Sequence, residues 1–254
     1  MDNVSTAFLF TTLAGLSTTI GGLIAYFIKK PKFTYLSFLL GFSAGVMIYI
    51  SFVELLSKSI NELGFLSANI AFFGGIVGIY FVDKFIPHIH INMKPDPHYR
   101  VPRHHKKLIG VGVLTAVGIA IHNFPEGMAV FAVSLDSLAL GLPIALAIAI
   151  HNIPEGIAVS VPIYYATGNR RKAFVYSCLS GVTEPVGAVI GYLLLLPFLT
   201  PSVLYATLAV VAGIMIFICF DELLPISKEY GNEHLSTLGL FFGMVVMMLS
   251  LSLL

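Results

Sequence analysis

Long apolar runs divided by polar breaks set the pattern of this chain. A bilayer core of about 30 Å is crossed by roughly 20 apolar residues in helical form. Eight stretches meet that length, at approximately 6–28, 34–56, 65–85, 108–134, 138–164, 172–197, 202–221 and 235–254. The pattern predicts an all-α membrane protein of eight transmembrane helices, a single transmembrane domain over 1–254. Runs four and five exceed the bilayer thickness and leave room for a tilt or a kink. The first run has no basic N-terminal flank and no clear small-residue cleavage site, so it reads as a span and not as a cleaved signal. The breaks are short except one, at about 87–107. It holds His88, His90, His98, His104 and His105, five of the eight histidines. Such a tract either gathers metal loosely or is a solvated basic loop.

Composition agrees with lipid as the solvent. Hydrophobic residues make up 57% of the chain and charged ones 11%, where a soluble domain carries about 25% charged. Mean hydropathy is +0.92. The formal net charge of +1 says nothing about partners; lipid is the expected surrounding and no nucleic acid is expected. There is no Trp, so an interfacial aromatic belt must rest on Tyr and Phe. Cys178 and Cys219 lie in apolar runs without CxxC spacing and read as buried thiols. Thirteen of the fourteen Lys and Arg fall in the odd-numbered breaks, and Lys58 is the exception. The positive-inside rule then places those loops in the cytoplasm and both termini outside, in the plasma (inner) membrane.

One stretch occurs twice. Ile119-Ala120-Ile121-His122-Asn123-Phe124-Pro125-Glu126-Gly127-Met128-Ala129-Val130 returns as Ile148-Ala149-Ile150-His151-Asn152-Ile153-Pro154-Glu155-Gly156-Ile157-Ala158-Val159, identical at ten of twelve positions. Both copies lie mid-run, where an ionisable side chain is costly and functional by default. Runs four and five are neighbours and antiparallel, so the copies meet near the midplane about an approximate two-fold axis. With a helical turn of about 100° per residue, Glu126 lies between His122 and Asn123. Its carboxylate could share an ion with either or bridge both, and Glu155 stands likewise to His151 and Asn152. Two imidazoles, two carboxylates and two carboxamides suit a borderline divalent ion such as Zn²⁺, Fe²⁺, Mn²⁺ or Co²⁺. They suit Cu(I), Ca²⁺ or Mg²⁺ less well. Bridging carboxylates permit two ions about 3.5–4 Å apart. Pro125 and Pro154 lack an N–H, which frees the carbonyls of Ile121 and Ile150; freed carbonyls are tolerated where they line a wet or ion-filled cavity. Gly127 and Gly156 allow close helix approach. Glu184, before Pro185 in run six, is a candidate third carboxylate. Ser51 and Glu54, near one end of run two, and Asp221 and Glu222, at the end of run seven, are either pathway ligands or interfacial charges.

These residues resemble the ZIP (Zrt/Irt-like protein) family of divalent metal transporters, most of all its bacterial ZupT-type members. The likeness rests on HNFPEG, HNIPEG, Glu184 in SGVTEP and FDELLP ending run seven, and it extends over essentially the whole chain. It implies a ZIP fold with Pro-broken helices 4 and 5 at its core. It implies inward movement of zinc above all, with iron, manganese, cobalt and cadmium often accepted, and no resident cofactor. It implies one metal position at His122, Glu126, His151 and Glu155, and a neighbouring one at Asn123, Glu126, Asn152, Glu155 and Glu184. Many members carry a carboxylate at the place of Asn152 and an amide at that of His151. Family members are often homodimers and slide in an elevator-like manner. The competing reading is an intramembrane metalloenzyme, but HExxH is absent and the order His-x-x-x-Glu is not that of di-iron bundles. A metal-sensing receptor is a third reading, with no signalling domain attached.

Overall fold

A computed structural model describes residues 3–28, 32–85, 105–195, 200–229 and 231–252. Among the described residues, eight helices are long and apolar enough to cross a membrane, one for each apolar run. They are α1 (Asn3–Phe27), α2 (Phe33–Leu63), α3 (Phe65–Phe85), α4 (His105–Asp136), α5 (Leu138–Thr167), α6 (Arg170–Ile190, extended by Gly191–Leu195), α7 (Pro201–Glu229) and α8 (Glu233–Ser252). His88, His90, His98 and His104 lie outside the described residues, and His105 opens α4.

Local chemistry sets several of the ends. The Asn169 side chain caps α6 by accepting from the Lys172 N–H at 3.0 Å. Thr200 caps α7 in the same way, ahead of Pro201 at the first helical position. Gly168, at φ 67°, closes α5 in the left-handed conformation. Pro125, Pro154 and Pro185 interrupt the hydrogen-bond ladder without ending their helices. The wider departures are π-helical turns at Ser51–Leu56, Gly191–Leu195 and Ile218–Leu223. Two boundaries need correction. Glu54, Asp221 and Glu222 are not at helix ends, because α2 runs on to Leu63 and α7 to Glu229. A helix persists beyond its apolar run wherever polar residues can still satisfy its backbone, as Ser57 to Leu63 do.

The helices pack as two sets. One comprises α1, α4, α5 and α6, and the other α2, α3, α7 and α8; they meet chiefly where α2 lies on α5 and α4 on α7. The main buried apolar cluster draws on both sets, with Leu40, Met47, Ile119, Ile157, Met215 and Ile218 among its members. Within each set the backbones touch through glycines. A methyl group at Gly127 would strike the Glu184 carbonyl and one at Gly187 the Phe124 carbonyl, which locks α4 to α6. Gly156 meets the Thr18 carbonyl and Gly21 the Ile153 carbonyl, which locks α5 to α1 in the same manner. In the second set, Gly45 and Gly243 join α2 to α8, and Gly213 and Gly75 join α7 to α3. Without a hydrophobic force between helices in lipid, such close approach is the main source of association.

These paired crossings expose a repeat larger than the doubled motif. Ala44-Gly45-Val46-Met47-Ile48-Tyr49-Ile50-Ser51-Phe52-Val53-Glu54-Leu55-Leu56 in α2 matches Ala212-Gly213-Ile214-Met215-Ile216-Phe217-Ile218-Cys219-Phe220-Asp221-Glu222-Leu223-Leu224 in α7 at nine of thirteen positions. Both segments carry a π-helical turn. α1 and α6 align through Gly15 with Gly181, Gly21 with Gly187, Ile24 with Ile190 and Tyr26 with Tyr192. Five crossings from α1 to α6 reverse the direction, so α1–α3 and α6–α8 form an inverted repeat around the α4–α5 pair.

Candidate metal centre

The long helices α4 and α5 bring the two motif copies face to face. His122, Asn123, Glu126, His151, Asn152, Glu155 and Glu184 are all buried. The Nε2 of His122 lies 3.2 Å from a carboxylate oxygen of Glu126 and 3.2 Å from one of Glu155. The Nε2 of His151 lies 2.9 Å from the other oxygen of Glu126. The imidazole centroids are 6.3 Å apart. Ligand atoms of His122, His151 and Glu155 fall within 4.8 Å of one another. Glu126 therefore spans both histidines, one from each helix.

These atoms lie at ion-pair distance, most of them outside hydrogen-bond geometry. Both ring nitrogens of each histidine, both oxygens of Glu155 and Oε2 of Glu126 have no hydrogen-bond partner. Buried polar groups are ordinarily paired, and an unpaired buried charge is expensive. Two carboxylates and two imidazoles turning lone pairs on one small volume form a donor set that a divalent cation neutralises.

Beside this cluster lie the amides and Glu184. The Asn123 side-chain amide donates to the Ser180 carbonyl at 3.1 Å. The Asn152 amide donates to the Ala14 carbonyl at 3.0 Å and to Glu184 Oε1. Each amide is thus held by its NH₂ end, and each Oδ1 is left without a hydrogen-bond partner, as is Oε2 of Glu184. The four His and Glu side chains thus form one cluster, Asn152 and Glu184 are joined by a hydrogen bond, and Asn123 is held on the Ser180 carbonyl of the same helix as Glu184.

The remaining sequence candidates sit in the other helix set. Buried Ser51 donates to the Met47 carbonyl at 2.7 Å and lies 3.6 Å from the Met215 sulfur. Glu54 pairs with Lys58 one turn away. Asp221 is exposed and Glu222 half-buried in the π turn of α7. Among the described residues, no hydrogen bond or ion pair joins these four to the motif residues. Sequence reasoning overlooked Ser43, whose hydroxyl donates to the Pro154 carbonyl at 2.8 Å across the seam between the sets. It also overlooked the α1 positions Ala14 and Thr18. The α1/α6 repeat was the available signal for them.

Comparison with known proteins converges on one family. The model of the ZIP zinc transporter family matches residues 96–251, a stretch that includes both motif copies and Glu184. Zinc transporter ZupT of Chlorobium phaeovibrioides is 51% identical over 271 residues, covering 100% of both chains. That of Nitratidesulfovibrio vulgaris is 50% identical over 270 residues, covering 99% of this chain and 98% of its own. That of Streptococcus mutans is 49% identical over 265 residues, covering 99% and 98%. These relatives are transporters, which sets aside the metalloenzyme reading. A buried His/Glu cluster between two proline-bearing helices, in a multi-pass membrane protein aligned end to end with such relatives, places this chain in the ZIP zinc transporter family.

Proposed function

We propose that this protein carries divalent metal ions, zinc foremost, across the membrane into the cytoplasm. The observation that supports it best is the set of buried imidazole and carboxylate atoms of His122, Glu126, His151 and Glu155, which converge at 2.9–3.2 Å from two facing helices. His122, Glu126, His151 and Glu155 hold one ion; Asn123, Asn152 and Glu184, with the shared carboxylates, hold a second. Iron, manganese, cobalt and cadmium have the same borderline preference for mixed nitrogen and oxygen ligands and are further cargo. The protein lies in the plasma (inner) membrane with both termini outside, as the Lys and Arg distribution supports. Metal enters past Ser51 and Glu54 and leaves past Asp221 and Glu222. An interior-negative potential contributes about 4.6 kcal/mol per 100 mV to the inward movement of one doubly charged ion. The division into two helix sets, with every motif ligand in one, suits sliding of that set past the other. A homodimer belongs to the same reading.

Purified protein in proteoliposomes, with Zn²⁺ inside read by a trapped fluorophore, tests the proposal. Saturable uptake is expected, and uptake no faster than in empty vesicles overturns it. His122→Ala is expected to lower zinc uptake about tenfold or more, in line with removal of one metal ligand. Its Zn²⁺/Mn²⁺ uptake ratio should fall as well, because the loss of nitrogen leaves a harder donor set. For orientation, an epitope placed at either terminus is expected to bind antibody on intact cells; binding only after permeabilisation reverses the topology.

A further inference from the structure

The inverted repeat relates α1 to α6 position by position, and it places Thr18 where α6 carries Glu184. The local packing repeats too. A Cβ at Gly15 would lie 3.0 Å from Glu184 Cβ, and one at Gly181 would lie 3.0 Å from Thr18 Cβ and 3.2 Å from its hydroxyl. Glu184 therefore stands against Gly15, the neighbour of Ala14, whose carbonyl holds Asn152. Thr18 stands against Gly181, the neighbour of Ser180, whose carbonyl holds Asn123. On the first side the relation ends in contact, Glu184 Oε1 accepting from the Asn152 amide. On the second side it ends in two orphans. Thr18 Oγ1 and Asn123 Oδ1 are both buried and both lack a hydrogen-bond partner.

We propose that Thr18 is a metal-site residue, the neutral counterpart of Glu184, whose hydroxyl with Asn123 Oδ1 lines the second divalent-cation position from the α1 side. This rests on the metal-transport reading of the doubled motif. A threonine side chain is shorter than a glutamate's, so by the repeat relation Thr18 reaches less far towards Asn123 than Glu184 reaches towards Asn152. A hydrated divalent cation suits such a gap, since its bound water donates to both oxygens. Substituting a hydroxyl for a carboxylate also removes one negative charge from this position. The second ion is then held less tightly than four acids would hold it, which favours release over storage.

The test is equilibrium dialysis of the full-length detergent-solubilised protein against Zn²⁺, with bound metal counted by elemental analysis. Thr18→Val keeps the shape and deletes the hydroxyl. It is expected to weaken the weaker of two binding constants by about 5–10-fold, the usual worth of one buried hydrogen bond, and to leave the tighter constant unchanged. Thr18→Ser is expected to behave as wild type. Thr18→Asp, which restores a carboxylate, should strengthen the weaker constant at least tenfold. The proposal falls if Thr18→Val matches wild type in both constants. It falls too if Thr18→Ser loses as much as Thr18→Val, since the branched shape of the side chain and not its hydroxyl is then what matters. The tighter constant reports folding in every sample, and if Thr18→Val does not fold, an unaltered weaker constant in Thr18→Asp overturns the proposal. Glu126→Ala separates this outcome from the reading beneath it. Zinc bound undiminished by Glu126→Ala refutes the motif site itself, whereas loss there with no effect at Thr18 refutes only Thr18.

Discussion

Zinc uptake by proteoliposomes is expected to drop to the empty-vesicle rate when Glu126 is changed to alanine, a loss of about 100-fold or more. Among the described residues, Glu126 is the one carboxylate at ion-pair distance from both imidazoles, 3.2 Å from His122 and 2.9 Å from His151. Deleting it takes two oxygens and one negative charge from a buried site. A dication left with two neutral imidazoles and one carboxylate carries uncompensated charge in a medium of low dielectric. Glu155→Ala should be nearly as severe, since Glu155 reaches His122 at 3.2 Å and is itself fully buried. Glu126→Gln separates charge from shape. The amide retains the volume and one carbonyl oxygen, so uptake near the wild-type rate in Glu126→Gln shows that the negative charge of Glu126 is not what holds the ion. Wild-type flux in Glu126→Ala removes the site assignment altogether.

The second large effect is expected far from any charge. Gly127→Val and Gly156→Val should each abolish uptake and lower the thermal midpoint of the purified protein. In each case the new Cβ falls on a main-chain carbonyl, that of Glu184 for Gly127 and that of Thr18 for Gly156. A backbone atom cannot rotate aside as a side chain can. The crossing helices must separate, which costs at least the usual 1–3 kcal/mol of an overpacked core, roughly. Separation also moves Glu126 and Glu155 off their partners, because each is the residue just before its glycine. Gly74→Val and Gly78→Val serve as controls, since nothing lies within 4 Å of a Cβ at either position. They should leave uptake and midpoint unchanged. Equal damage in the controls and the motif variants would falsify the close-crossing account.

The eight spans were legible because lipid imposes a composition that no soluble helix shares. The motif residues were legible for the opposite reason: His122, Glu126, His151 and Glu155 interrupt runs in which polar residues are expensive. Helical angle set Glu126 between His122 and Asn123 and left its partner open; its reach to His151 on the facing helix is a tertiary feature that no spacing within one helix contains. The ends of α2 and α7 were not legible, because a helix continues on backbone hydrogen bonds after its apolar run has stopped. The π-helical turns left no trace, as no residue type marks them. The α2/α7 repeat was present in plain letters. It went unread because Met47, Phe52 and Leu55 look like any lipid-facing sequence, whereas a histidine beside a proline does not. Thr18 escaped for a similar reason, one hydroxyl among many in α1.

The inverted repeat has a bearing on direction. A body whose halves are upside-down copies of each other presents the same face above and below, like a playing card. Nothing in the shared pattern tells top from bottom. Any bias between the two mouths of this protein is therefore written where the halves disagree, as they do at Thr18 against Glu184, Ser43 against Val211, Ser51 against Cys219 and Val53 against Asp221. Exchanging such unlike polar pairs is how one would try to turn the molecule around.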